Sequence, residues 1–275
     1  MKTFAWLFSH SPHRGRPVTA KRKNYGVETK LSRQRQGDWN KGRRGALYTI
    51  MGSRATFTPQ ELAQLTDRTL EHYREHAEDF QEGTRDHDVS QNIAALLQHV
   101  VGPRPFTILD LGCGPGRDLA TFTQLGHRAI GLDGAAPFVA MARTATGCAV
   151  WQQDFLKLDL RDNHFDGIFA NAVLFHVPAQ ELPRVLRELR AALKPEGVLF
   201  SSTPRGNDEE GWSGGRFGVY YRLETWQRYV TAAGFAELAH YYRPAGLPRA
   251  RQPWLATVWR RVGEARDANN VPDRG

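Results

Sequence analysis

The chain has 275 residues, 40% hydrophobic and 24% charged, an ordinary balance for a globular protein with room for one large domain or two small ones. No apolar run approaches the roughly 18–20 residues that cross a bilayer, and Phe4–Phe8 is too short for a signal-peptide core. Two cysteines, Cys113 and Cys148, are too few for a disulfide framework, so the expected setting is reducing and cytoplasmic.

The net charge of +8 is unevenly spread. Residues 1–50 carry 12 Lys/Arg against Glu28 and Asp38, whereas residues 51–275 carry 25 bases against 27 acids. A nucleic-acid-binding surface on the main domain is therefore not supported, and only the basic leader offers one. Residues 1–52 show no helical or strand periodicity and are expected to be a disordered basic leader. An organellar transit peptide, a basic arm for nucleic acid and an over-extended gene start compete as explanations. The last is favoured, with the working start at Met51, because a well-capped helix begins just after it. The domain is expected over residues 53–262 and a flexible tail over 263–275.

That helix opens on Thr58-Pro59-Gln60-Glu61, a capping box with Pro at the first helical position, and should end near Phe80. A second helix is expected from Asp88 to Val100, burying Ile93, Leu96, Leu97 and Val100. From Pro105 the texture changes. Short apolar runs at 106–111, 128–132, 149–153, 165–170 and 198–202 alternate with helical stretches near 117–125, 137–145 and 179–193. A further helix, 223–233, precedes strands at 236–242 and 254–260, the last placed antiparallel at the end of the sheet. These seven strands make a mostly parallel, doubly wound α/β sheet with helices on both faces.

The strongest local signal is Thr107-Ile108-Leu109-Asp110-Leu111-Gly112-Cys113-Gly114-Pro115-Gly116-Arg117-Asp118, a buried strand running through a glycine turn into a helix. Such a turn lets a nucleotide-like ligand approach the backbone closely. A dinucleotide fingerprint counted from Gly112 needs Gly or Ala at position 117, where Arg117 stands. Asp110 would also repel a pyrophosphate, but it would suit a cationic ligand. Asp118 reads as a carboxylate capping the next helix.

The Asp110-x-Gly112-x-Gly114-x-Gly116 segment resembles motif I of the class I S-adenosylmethionine (SAM)-dependent methyltransferases, of the small-molecule kind. Four later segments agree in order: Gly131-Leu132-Asp133, Gln153-Asp154-Phe155, Phe165–Asn171 and Leu193–Leu199, the last with Glu196 in place of a glycine. The resemblance covers about residues 70–260. It implies the Rossmann-like methyltransferase fold, SAM as cofactor, Asp133 on the ribose hydroxyls, Asp154 on the adenine amine, Phe155 against the ring, and Asn171 lining the transfer cleft.

Alignment of acceptor, methyl and sulfur supplies most of the catalysis such an enzyme needs, so a general base is optional. On the acceptor side the candidates are Tyr73, which with Ala77 and Phe80 resembles the family's covering helix, and Asn171 and His176 after the fourth strand. The segment Thr203–Phe217 reads as a long Gly-rich lid in which Arg205 and Arg216 hold an anionic substrate and Trp212 and Tyr220 line it. The expected activity is methyl transfer to a small polar, anionic molecule. A NAD(P)-binding oxidoreductase and a non-catalytic scaffold on the same fold are the alternatives. After the fourth strand the chain reads Asn171-Ala172-Val173-Leu174, without the Pro-Pro-aromatic signature of methyltransferases that act on exocyclic base amines, so base flipping is not expected. His72-Tyr73-Arg74-Glu75-His76 matches H-x-x-E-H, but no zinc-protease context surrounds it and no metal site is expected.

Overall fold

The structure, a computed structural model, describes residues 56–263; the expectations for residues 1–52 and for the tail beyond Gly263 lie outside the described residues. Thr58 caps helix α1 (Pro59–Glu75). Its hydroxyl accepts the Glu61 N–H while the Glu61 carboxylate accepts the Thr58 N–H at 2.7 Å, the reciprocal box the sequence calls for. The helical run does not end at Phe80. It breaks at His76, whose ring Nδ1 lies 2.8 Å from the His72 carbonyl, and resumes as α2 (Ala77–Thr84). Helix α3 (Ser90–Leu97) is shorter than the expected Asp88–Val100 and its N-cap is Val89, not Asp88, which accepts the Ser90 N–H at 2.9 Å just before it.

The central sheet holds β1 (Thr107–Leu111), β2 (Arg128–Asp133), β3 (Ala149–Gln152), β4 (Phe165–Asn171), β5 (Leu193–Pro204), β8 (Phe235–Arg243) and β9 (Trp254–Arg261). Their order is β3-β2-β1-β4-β5-β9-β8, with the first five parallel and β9 antiparallel to both neighbours. Between the strands run α4 (Arg117–Gln124), α5 (Ala136–Thr146), α6 (Leu182–Ala192) and α7 (Leu223–Ala232). This is the Rossmann-like α/β arrangement the sequence implies, with one correction. β9 does not lie at the end of the sheet; it inserts between β5 and β8. Leu255, Ala256, Val258 and Trp259 are all buried, so the strand is apolar on both faces and belongs inside, whereas β8 exposes Ala236, Glu237 and His240 and takes the edge.

A second correction concerns residues 203–217. They do not form an open loop: β6 (Glu209–Ser213) and β7 (Arg216–Tyr220) pair as an antiparallel hairpin outside the main sheet, with Trp212 opposite Phe217. Gly214 and Gly215 both have positive φ, the conformation a two-residue hairpin turn requires.

Apolar side chains cover both faces of the sheet. On one, Leu109, Leu111 and Ile168 meet Leu186 and Leu189 of α6 and Trp226 of α7. On the other, Ile108, Phe169 and Phe200 meet Leu96 of α3 and Phe122 of α4. Each such side chain contributes about 1.5–3 kcal/mol on burial, so the carboxyl ends of β1–β5 project from a rigid base. The candidate site lies there.

Candidate active site

The glycine turn is fastened to β2. Gly112 and Cys113 donate their N–H groups to the Leu132 carbonyl at 2.7 and 3.1 Å. A Cβ on Gly112 would stand 2.4 Å from Val173 Cγ2, so no other residue fits there. The Gly114 N–H donates to Asp133 Oδ2 and the Ala135 N–H to Asp133 Oδ1, both at 2.9 Å. Burial nevertheless pushes the Asp133 carboxyl up to about 6. Asp110 is buried beneath the turn, and its Oδ2 has no hydrogen-bond partner among the described residues. Burial first, then the neighbouring Asp118 carboxylate, holds its carboxyl well above the usual range. The Cys113 thiol is likewise pushed up by burial, which fits a space-filling residue better than a nucleophile.

Asp118 does not cap the helix. Gly116 holds that position, and Asp118 pairs with Arg117 at 2.6 Å inside a buried polar chain. The Arg117 guanidinium also donates to the Thr84 carbonyl at the end of α2. From Asp118 the chain passes to the Asn171 amide, whose Oδ1 accepts from Asn92 Nδ2 at 2.9 Å and from the Ser202 hydroxyl at 2.7 Å. Asn171 is thus engaged on both amide ends and acts as a hub that ties β4 to β5, α3 and α4. Asp154 caps the short 3-10 turn Phe155–Lys157 through Oδ1, accepting the Leu156 N–H at 2.8 Å. Phe155 approaches the glycine turn, its ring 3.5 Å from where a Gly112 Cβ would be.

A second cluster gathers α1, the turn after β4 and the hairpin. His176 is half-buried, with Nδ1 2.6 Å from the Phe217 carbonyl and Nε2 2.8 Å from the Tyr73 hydroxyl. A carbonyl only accepts, so Nδ1 carries the proton, Nε2 is the acceptor, and Tyr73 donates to it. Burial pushes the imidazole down to about 4, so the ring is neutral. The Tyr73 oxygen in turn accepts from Arg216 at 3.4 Å, and the Arg216 guanidinium lies 5.6 Å from the Tyr73 ring centre. Arg216 is half-buried and forms no ion pair with a carboxylate among the described residues. The Phe217 N–H donates to the Thr69 hydroxyl at 3.1 Å, so one residue of the hairpin fastens both α1 and His176. Tyr220 packs its ring near Phe175, and Trp212 carries the Arg68 guanidinium 4.1 Å over its ring.

Arg205 stands apart. Its guanidinium donates to the Arg249 and Gln252 carbonyls and lies over the Tyr242 ring, where it fastens the 249–252 turn. The substrate contact expected for it is withdrawn. His72 and His76 stack at 4.4 Å, but the His76 Nδ1 is turned to its own helix. Sequence reasoning passed over Thr69, Asn92 and the Phe217 backbone. Only Thr69, a polar residue one helical turn before Tyr73, carried any signal.

These features stand at the ends of parallel strands, where a family model described as a methyltransferase domain matches residues 109–201. The chain is 38% identical over 118 residues to the trans-aconitate 2-methyltransferase of Azoarcus sp. (strain BH72), covering 42% of this chain and 45% of that one. It is 37% identical over 94 residues to the "Probable tRNA methyltransferase 9B" of Bos taurus, covering 34% and 20%. Among solved structures, the 1,6-didemethyltoxoflavin-N1-methyltransferase of Burkholderia thailandensis, with bound 1,6-didemethyltoxoflavin and S-adenosylhomocysteine, superposes with a TM-score of 0.63. That likeness covers 79% of this chain and 100% of the other at 21% identity, and establishes the fold. Residues 109–201 thus match a methyltransferase-domain model, and the fold is the Rossmann-like one of the class I SAM-dependent methyltransferases. It spans about half the length, or less, of the curated relatives it matches.

The methyltransferase cofactor is SAM, and the residues present fit it. A buried carboxyl oxygen without a partner, two further acids nearby and a turn with no room for side chains suit a cationic nucleoside and would repel a pyrophosphate. No helix among the described residues is long and apolar enough to cross a membrane.

Proposed function

We propose that this chain transfers a methyl group from SAM to a small anionic molecule. The observation that carries the reading is a single one: the acidic glycine turn and the Tyr73–His176–Arg216 cluster lie at the same carboxyl end of the sheet's strands, with Tyr73 close enough to feel the charge of both Asp133 and Arg216. The sulfonium supplies an already activated methyl group. Everything else falls to the protein. Asp133 accepts the ribose hydroxyls, Asp154 the adenine amine through its remaining oxygen, and Phe155 covers the ring. Gly112, Gly114 and Gly116 let the ligand lie against the backbone, and a bound cation would draw the buried Asp110 carboxyl toward its ionised form. Tyr73, Phe80 and Phe138, whose rings meet within 5.1–5.8 Å, form a wall that excludes water. Arg216 pairs with the acceptor's negative charge, and Trp212 and Tyr220 shape its surroundings.

The relative named for trans-aconitate supports an anionic acceptor, and the two free cysteines support a cytoplasmic setting. The tRNA methyltransferase relative favours a second reading, transfer to RNA with the basic leader as tether, which predicts steeply salt-dependent RNA binding lost on removal of residues 1–52. Calorimetry with SAM and S-adenosylhomocysteine, followed by release of S-adenosylhomocysteine on adding trans-aconitate or related polycarboxylates, tests the first reading. Binding without turnover on any acceptor would leave a scaffold, and binding of NAD in its place an oxidoreductase.

A further inference from the structure

The acceptor cluster sets a fixed positive charge beside a Tyr73–His176 pair whose hydrogen bonds are already made, and together these bear on which atom receives the methyl group. Arg216 is half-buried without a carboxylate partner among the described residues, and it points at the Tyr73 hydroxyl. A cation in such a place is stabilised by an anion brought in with the substrate. The two groups that might take a proton from that substrate are already engaged. His176 Nδ1–H is held by the Phe217 carbonyl, and its Nε2 receives the Tyr73 proton. Tyr73 therefore has no proton to give and presents its oxygen only as an acceptor. Facing the pair are His72 from α1, Arg216 and Tyr220 from the hairpin, and Asp133 from the end of β2. His72 is pushed toward its neutral, proton-accepting form by burial first and then by Arg216, but its ring stacks on His76 and packs against Gly215. Asp133 is occupied by two backbone N–H groups. A second positive charge on His176, so close to Arg216, would be repelled.

We infer that the acceptor atom is a carboxylate oxygen, methylated to a methyl ester, with Arg216 as its counter-ion and Tyr73 and His176 as positioning residues. The inference rests on the methyltransferase reading above. A carboxylate lone pair forms the new O–CH3 bond as the methyl–sulfur bond breaks and its electron pair returns to sulfur. An ester and a thioether result, the negative charge of the carboxylate cancels the positive charge of the sulfonium, and no proton is released. An ammonium or phenol acceptor would instead shed one proton per turnover, which distinguishes it from a carboxylate.

The full chain, supplied with methyl-tritiated SAM, is offered succinate, citrate and benzoate beside catechol and ethanolamine. The expected result is label on one or more carboxylates, released as methanol by alkali, with no indicator-detected proton release and kcat flat between about pH 6.5 and 9. Arg216→Gln should raise the carboxylate KM about tenfold or more, with S-adenosylhomocysteine affinity unchanged by calorimetry. Tyr73→Phe should lower kcat less than about tenfold and leave the pH profile flat, where loss of a true general base costs about 10²–10⁴-fold and reshapes it. Alkali-stable label, one proton per turnover, or labelling of catechol or ethanolamine alone would overturn the inference. So would failure to label any carboxylate while S-adenosylhomocysteine binds. If S-adenosylhomocysteine does not bind, the methyltransferase reading fails first and this inference with it.

Discussion

The Asp133 carboxylate accepts one backbone N–H on each oxygen, and each oxygen keeps a further lone-pair direction for a ligand hydroxyl. Its carboxyl, raised by burial to about 6, must be ionised to accept four bonds. Affinity for S-adenosylhomocysteine should therefore be full above about pH 6 and fall by up to about tenfold for each pH unit below it. Asp133→Ala should weaken binding by about 1–3 kcal/mol at pH 7.5 and remove that pH dependence. Calorimetry at pH 5, 6 and 7.5 measures both, and an affinity indifferent to pH would refute the assignment. Asp133 was singled out through the resemblance carried by Gly131-Leu132-Asp133, and the structure places it at the end of β2. Asn171 was legible only as a position. Its partners Asn92, Asp118 and Ser202 lie 79, 53 and 31 residues away, and no local pattern announces such a network.

The strands of the main sheet could be read from their apolar runs, because burial on both faces demands consecutive Val, Ile, Leu and Phe. The hairpin β6–β7 could not. All five residues of β6 are only half-buried, and its charged and glycine residues mimic a loop. The two-residue Gly214-Gly215 turn flanked by Trp212 and Phe217 was the missed signal. The hairpin's placement depends on Phe217, held by Thr69 on one side and His176 on the other. Thr69→Val leaves the buried Phe217 N–H unpaired at a cost of about 1–3 kcal/mol. We expect a higher acceptor KM, because Arg216 and the His176 tautomer both follow Phe217, with S-adenosylhomocysteine affinity unaltered. Arg205→Ala should do the reverse: it should loosen the 249–252 turn, lowering stability by about 1–2 kcal/mol, and leave KM where it was. Denaturation curves alongside initial rates separate the two outcomes, and an acceptor KM that moves with Arg205 would return that residue to the site.

Across the whole domain, burial moves two kinds of titrating group in opposite directions. Asp110 and Asp133 are raised, while His72, His87, His127, His164 and His176 are lowered, each chiefly by burial. The composition, with 10 His in the chain, shows that histidines exist but not which of them are enclosed, since that depends on contacts such as Phe217 with His176. His176 gives the largest histidine effect with a stated size. Its folded value of about 4 lies below the ordinary 6.5, so between these pH values the unfolded chain binds the proton that the folded protein refuses. The stability tied to its neutral form is therefore fully present above about pH 6.5 and is lost as the pH falls toward 4, by up to roughly 3 kcal/mol. The raised acids work against this, because the folded protein takes up their protons first. Total stability is thus a poor readout, and the difference between two proteins a better one. In His176→Gln the loss of urea-unfolding free energy from pH 6.5 to 4.5 should be smaller than in the parent by about 2 kcal/mol, whatever the variant's stability at neutral pH. Parallel pH curves for the two proteins would mean that His176 is protonated in the fold as readily as in the open chain. The neutral, proton-refusing ring on which the acceptor site is built would then have to be abandoned.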